Sequence, residues 1–276
     1  MKIIGITGGK GGTGKSTVAT ALACELAKTK KVLLVDADVD CPNDHLLLSI
    51  ARKEILAVNQ RIPKFDLDKC TRCGLCGTVC RSNAIVSIKG NEPILMKQQC
   101  NGCGACTIKC PVNAIKWDKK EIGKIYSGKN HGVNLLTGEL KSSEPVSEFI
   151  VNELNDIVEK IKVNYDHVII DTAAGTHCPV IAALEKCNVV YAVTEPTPLG
   201  KHDLELILQL LKEIKTKPGI ILNRSDVGDK KIIQALAKKY GVELTANIPY
   251  SKEIFESYSK GIPISGEFIK KITQGL

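Results

Sequence analysis

The sequence predicts an α/β protein with a mostly parallel sheet covered by helices on both faces, interrupted by a small inserted α+β domain. Three observations carry that expectation. Short β-branched runs alternate with helical stretches near the start and again through the second half of the chain, the pattern of βαβ units and parallel strands. A glycine-rich turn holding two lysines and a serine follows the first of those runs. Eight of the 12 cysteines fall in two tight runs between residues 70 and 110, where the alternation of strand and helix stops.

Taken in order, KIIGIT (Lys2 to Thr7) is a short apolar strand that ends in glycines, and STVATALACELAKTK after it has helical spacing. KVLLVDAD (Lys31 to Asp38) is a second strand with an acidic end. After Arg61 the composition changes to Pro63, cysteines, glycines and short apolar pieces, until about Lys119. The stretch from Glu121 to Pro145 contains Gly, Ser and Asn and reads in part as an extended connection or hairpin. Helical spacing returns in VSEFIVNELNDIVEKIKVN, where Phe149, Ile150, Leu154, Ile157, Val158 and Ile161 make one apolar face. Four apolar runs follow, DHVIIDTAAG, NVVYAVTEP, GIILNR and ELTANIP, with helical segments at His202 to Ile214 and Lys230 to Tyr240 between them. Continuous apolar strands of this kind belong in a sheet covered on both faces. The expected division is a discontinuous domain of residues 1–60 and 120–276 around an insert of residues 61–119.

Composition narrows the function. The formal charge is +8, but the lysines are spread along the chain and aromatics are 4% of residues, so binding nucleic acid by base stacking has little to build on. No nucleic-acid partner is expected. The chain opens MKIIGITGG, a strand entering a loop and not a secretory segment. With no apolar run long enough to span a bilayer and cysteines grouped for metal, the expected location is the cytoplasm.

Gly9-Lys10-Gly11-Gly12-Thr13-Gly14-Lys15-Ser16 fits GxxxxGK[ST] between a strand and a helix. Backbone N–H groups of such a loop converge on phosphate oxygens, and the helix N-terminus adds its dipole. Lys15 is placed to reach the terminal phosphates, and the Ser16 hydroxyl to ligate Mg2+. The fold class expected is therefore a P-loop NTPase binding ATP and Mg2+ through residues Gly9 to Thr17.

Lys10, early in KGGTGKST, resembles the deviant Walker A motif of the MinD/Mrp/nitrogenase iron-protein class of ATPases. That resemblance implies a nucleotide-dependent homodimer in which Lys10 reaches the phosphates of the other subunit. VLLVDADVDCPN (Val32 to Asn43) is similar to the class's second strand and switch I, with Asp38 as the water-positioning carboxylate, Asp36 near Mg2+, and Asp40 competing for the catalytic role. VIIDTAAG (Val168 to Gly175) resembles Walker B and switch II, with Asp171 holding a Mg2+-bound water and Gly175 turning toward the γ-phosphate. Asn223 in ILNR resembles the residue that reads the base, or simply closes a strand into a turn. The resemblance extends through IPYSKEIFESYSKGIPI (Ile248 to Ile264). The final GEFIKKITQGL is loosely similar to the amphipathic tail of MinD, but its position just after GIPI predicts core packing and no stable membrane anchor.

The two cysteine runs are an internal repeat, CTRCGLCGTVCRSNAI against CNGCGACTIKCPVNAI, each spaced C-x2-C-x2-C-x3-C. That is the signature of a ferredoxin with two 4Fe-4S clusters, in which the fourth cysteine of each run ligates the other cluster. Cluster 1 would use Cys70, Cys73, Cys76 and Cys110; cluster 2 would use Cys100, Cys103, Cys106 and Cys80. Zinc ribbons use paired CxxC and fit the repeat less well. Arg81 stands where the pattern expects proline, which Pro111 keeps in the second run. Of the remaining cysteines, Cys24 and Cys187 read as small buried side chains, while Cys41 and Cys178 lie beside the switch segments.

Taken together, the chain resembles MinD-superfamily ATPases carrying an inserted ferredoxin domain. Three functions follow as expectations. The first is ATP-gated electron transfer through the clusters to an unidentified redox or iron–sulfur partner protein. The second is an iron–sulfur assembly or carrier ATPase, and the third a MinD-like spatial regulator with redox-sensing clusters. Eight ferredoxin-type ligands favour permanent clusters and hence the first.

Overall fold

The computed structural model describes residues 1–276. The chain runs β1 (Lys2–Thr7), α1 (Lys15–Ala27), β2 (Val32–Ala37), α2 (Asp44–Leu47) and β3 (Lys53–Phe65). Next come α3 (Leu75–Thr78), β4 (Ile85–Val86), β5 (Ile94–Leu95), α4 (Ala105–Lys109), β6 (Ile115–Asn130) and β7 (Val133–Leu140). The remainder alternates: α5 (Glu148–Ile161), β8 (His167–Thr172), α6 (Cys178–Leu184), β9 (Val189–Thr194), α7 (Pro198–Glu213), β10 (Lys217–Asn223), α8 (Lys231–Tyr240), β11 (Leu244–Ile248), α9 (Lys252–Ser259) and α10 (Glu267–Gln274).

Two compact units emerge. The first comprises Met1–Leu56, Ile125–Glu139 and Ile150–Leu276, and the second Ala57–Lys124 with Leu140–Phe149. The expected insert of residues 61–119 is narrower, because the chain passes between units within β3 and β6 and not at a loop.

The strand order of the large sheet is β11-β10-β9-β1-β8-β2-β7-β6-β3. Strand β1 pairs in parallel with β8 and β9, β2 with β8 and β7, and β10 with β9 and β11. Strands β2, β8 and β9 are buried along their whole length, as runs such as VLLVDA require when both sheet faces are covered. The Glu121 to Pro145 stretch supplies β6 and β7, joined by His131-Gly132 with φ of 49° and 79°. Positive φ at both positions makes a type I′ turn, the two-residue turn whose twist matches an antiparallel hairpin.

Helix α1 buries Val18, Ala19, Ala21, Leu22, Ala23 and Leu26. Its core cluster includes Ile4, Ile6, Leu34 and Ile169 of the sheet, and Ile269 and Ile272 of α10. Fully buried side chains of that size each contribute about 1.5–3 kcal/mol. Both isoleucines of α10 are 0% exposed, so the apolar face of the final helix is committed to this core. No helix is long and apolar enough to cross a membrane.

The second unit repeats itself in backbone as well as in sequence. Helix α3 follows Gly74 and α4 follows Gly104, both at φ 83°. Arg72 and Gly102 also share positive φ, as do Asn83 and Asn113, and Ala84 and Ala114 are both buried. Strands β4 and β5 form an antiparallel pair with Ile85 opposite Leu95. A small core of Ile62, Ala84 and Cys100 is flanked by Cys80 and Leu95.

Candidate nucleotide site and cysteine pockets

Strand β1 lies between β8 and β9, so the loop leaving its carboxyl end opens where the strand order switches, the usual ligand position in an open α/β sheet. Gly14 ends that loop at φ 95°, and a Cβ there would lie 2.4 Å from Asn223 Nδ2. Asn223 donates through that nitrogen to the Thr13 carbonyl at 2.8 Å, fastening the loop to the end of β10. Lys15 is buried, and its Nζ donates to the Lys10 carbonyl at 3.1 Å. Burial pulls its pKa down, while Asp171 and Asp38 pull it back up. The Gly175 N–H donates to the Gly8 carbonyl at 3.0 Å, tying the segment after β8 to the loop.

A cleft of about 440 Å3 begins at Gly11, Gly12, Gly14, Lys15, Ser16 and Thr17 and includes Asp38 and Asn223. Its lining also includes Ile248, Tyr250, Phe255 and Phe268. Phosphate-binding loop residues and apolar or aromatic side chains in one cleft suit a ligand with a phosphate chain and a flat ring. Gly9 and Lys10 stand at the loop's start, half-buried. Asp38 lines this cleft, whereas Asp40 is exposed. Burial raises the Asp38 pKa, with Lys15 opposing.

Asp36 and Asp171 are register partners on β2 and β8. Asp36 accepts backbone hydrogen bonds from Asn43 at 3.0 Å, Asp44 at 3.1 Å and Asp38 at 3.3 Å. Burial, then the charge of Asp171, pushes the Asp36 carboxyl well above the ordinary carboxylate range. Burial raises Asp171 to about 7 against the pull of Ser16 and Lys15. The carboxylates of Asp36, Asp44 and Asp171 offer oxygens within 4.8 Å of one another, all buried.

Lys10 makes an ion pair with Glu195 at 3.4 Å, and Glu195 also accepts from Arg224. The loop's first lysine is thus engaged within its own chain. Glu195 and Asp44 were not apparent from sequence. Glu195 looks like a strand end in VTEPTP, and Asp44 like one polar residue in PNDHLLL; only their tertiary neighbours distinguish them.

In the second unit two hollows each gather four cysteines. One is lined by Cys70, Cys73, Cys76 and Cys110, the other by Cys80, Cys100, Cys103 and Cys106. The fourth cysteine of each run therefore sits with the first three of the other. No disulfide forms among them. Cys110 Sγ accepts from the Ala114 N–H at 3.2 Å, and burial raises Cys100 and takes Cys106 to about 11. Four sulfurs gathered in each hollow, with a backbone donor aimed at Cys110 Sγ, form a soft-metal donor set once deprotonated. Arg81 is exposed. Elsewhere, burial takes Cys24 and Cys187 to about 12, while Cys41 and Cys178 are exposed.

The fold, the loop and the paired aspartates define a nucleotide-binding P-loop domain. The chain belongs to the CobQ/CobB/MinD/ParA nucleotide binding domain family, which it matches over residues 4–264. It is accordingly an ATP-binding ATPase of the MinD/ParA type. It is 35% identical over 266 residues to an uncharacterised protein of Methanocaldococcus jannaschii, covering 95% of this chain and 90% of that one. The septum site-determining protein MinD of Thermotoga maritima is 23% identical over 272 residues, 95% of this chain and 80% of its own. The fold resembles that of MinD from Pyrococcus horikoshii complexed with Mg-ADP, with TM-score 0.59, 23% identity, and 95% and 86% of the two chains covered.

Proposed function

We propose that this ATPase binds two 4Fe-4S clusters in its second unit and uses ATP hydrolysis to gate electron transfer to a partner protein. The observation that carries the reading is the sorting of eight cysteines into two four-thiol pockets, each mixing the two sequence runs. A ferredoxin with two clusters requires that exchange of the fourth ligand, whereas a paired-CxxC zinc site does not. Bound there, the clusters supply one-electron chemistry at potentials set by charge and hydrogen bonds to sulfur. Permanent ligation by four thiolates favours this role over that of a carrier, whose ligands must release the cluster.

At the nucleotide, this chain's residues act by position and charge. The loop's N–H groups hold the phosphates, Lys15 neutralises charge on the terminal ones, and Asp38 orients the attacking water. Ser16, Asp36 and Asp171 would hold Mg2+. Lys10, supplied to a second copy, completes the phosphate shell, so turnover depends on a nucleotide-dependent homodimer. Glu195 competes for Lys10 within the chain and holds that lysine back until the dimer forms.

The test is anaerobic reconstitution of the full chain, followed by iron analysis and ATPase assay. The expected result is about eight iron atoms per chain, with Lys15→Ala abolishing ATP turnover and dimerisation but leaving the iron in place. Zinc in place of iron, or four iron atoms or fewer, contradicts the two-cluster reading.

A further inference from the structure

The two cysteine hollows differ in what surrounds them. Each offers an exposed sulfur ligand, Cys73 in one and Cys103 in the other, so access to sulfur does not distinguish them. The cations beside them do. Arg72, in the wall of the Cys73 hollow, is paired with Glu92 at 2.9 Å. At the Cys103 hollow, Lys120 is paired with Glu144, but Arg61 and Arg81 are exposed and belong to no ion pair. Arg81 stands between two residues of that wall, Cys80 and Ser82.

The same hollow presents apolar surface. Trp117, the single tryptophan of the chain, lines it and is 40% exposed. A Cβ on Gly104 would lie 3.2 Å from the ring, so the indole rests on the loop that follows Cys103. The Arg61 guanidinium lies over the other ring partner, 4.8 Å from the Trp117 centroid. A stacked guanidinium keeps its N–H edge available to a carboxylate, and no acid of this chain takes it. Ile108 comes three residues after Ala105 of the wall, hence on the same side of α4. At 87% it is the most exposed large apolar side chain of the protein.

Charge says what covers this face. The second unit holds 13 Lys and Arg against 7 Asp and Glu, most of the chain's net charge of +8. Two oxidised clusters, about −2 each with their thiolates, leave that excess positive. Exposed tryptophan and arginine are the side chains that anchor protein interfaces, and charge of one sign around them selects a partner of the other.

We propose that the face built by Arg61, Arg81, Ile108 and Trp117 docks an acidic electron-carrier protein over the Cys103 hollow. The inference rests on the two-cluster reading above and adds which cluster the partner meets and what charge it carries.

The probe is a purified acidic flavodoxin. It is titrated calorimetrically, fully oxidised, into the anaerobically reconstituted and oxidised chain, so that affinity is read without turnover. The expected result is a one-to-one complex that weakens as salt rises. At physiological ionic strength, where charges beyond about 8 Å are screened, Arg61→Glu and Arg81→Glu should each weaken it roughly tenfold. Lys89→Glu makes the same charge change next to Gly74 of the other hollow and should alter affinity less than about twofold. Iron analysis of each protein certifies its fold, and Arg81→Glu decides alone should Arg61→Glu lose iron. Wild type without iron removes the two-cluster reading and this proposal together. Eight iron atoms with no flavodoxin binding, or with equal affinity in wild type and both arginine variants, overturn the docking face alone. So do a DNA duplex that binds more tightly than flavodoxin, and self-association of the chain that Arg61→Glu abolishes.

Discussion

Gly14 shows how much of the nucleotide site rests on single residues. Its φ of 95° is a left-handed conformation, and the Asn223 amide stands 2.4 Å from where a Cβ would be. Alanine in that conformation costs about 1–2 kcal/mol, before Asn223 is displaced from the Thr13 carbonyl. Gly14→Ala should therefore lower stability by at least that amount in urea denaturation and weaken ATP binding; unchanged values for both would refute the role assigned to this contact. The loop itself was legible in the sequence, since a strand, a glycine-rich run and GKS at fixed spacing arise for one physical reason. Asp44 and Glu195 were not legible. Nothing in PNDHLLL or VTEPTP separates a solvated acid from a buried one, and the difference lies in the tertiary neighbours, Asp36 and Asp171 beside Asp44 and Lys10 and Arg224 beside Glu195.

Among the elements, those with strong periodicity were foreseen and those without it were not. The strands β8 to β11 announced themselves as apolar runs. Strand β3 was hidden because KEILAVNQRIPKF mixes charge with a proline, and β6 because IKWDKKEIGKIYSGKN is largely polar. The hairpin of β6 and β7 was read only in part, because its turn, His131-Gly132, lacks the Asn-Gly or Asp-Gly signal that usually reveals one. Helix α10 had two readings, an amphipathic tail or a core helix, and the burial of Ile269 and Ile272 decides for packing. Ile269→Ala should cost about 2–5 kcal/mol in equilibrium unfolding. A cost below ~0.5 kcal/mol, the range of ordinary surface substitutions, would return the helix to the tail reading.

For the whole molecule, the question is why one chain joins a nucleotide site to eight thiols. In sequence the cysteines enter between Asp38, which orients the water in the proposed mechanism, and Asp171, which would hold Mg2+. Linkage makes the coupling measurable. If ATP binds the oxidised and reduced forms with different affinity, the clusters must change potential when ATP binds, by the same free energy. For a one-electron couple the shift is about 59 mV per tenfold difference in affinity. The decisive measurement is the midpoint potential of both clusters in the reconstituted chain, compared between the ADP-bound protein and a slow-hydrolysing Asp38→Ala variant with ATP, each referenced to its own nucleotide-free form. The account predicts that ATP shifts at least one cluster and that ADP does not shift it equally. Potentials identical in all states, with an ATPase rate indifferent to cluster oxidation, would contradict gated electron transfer.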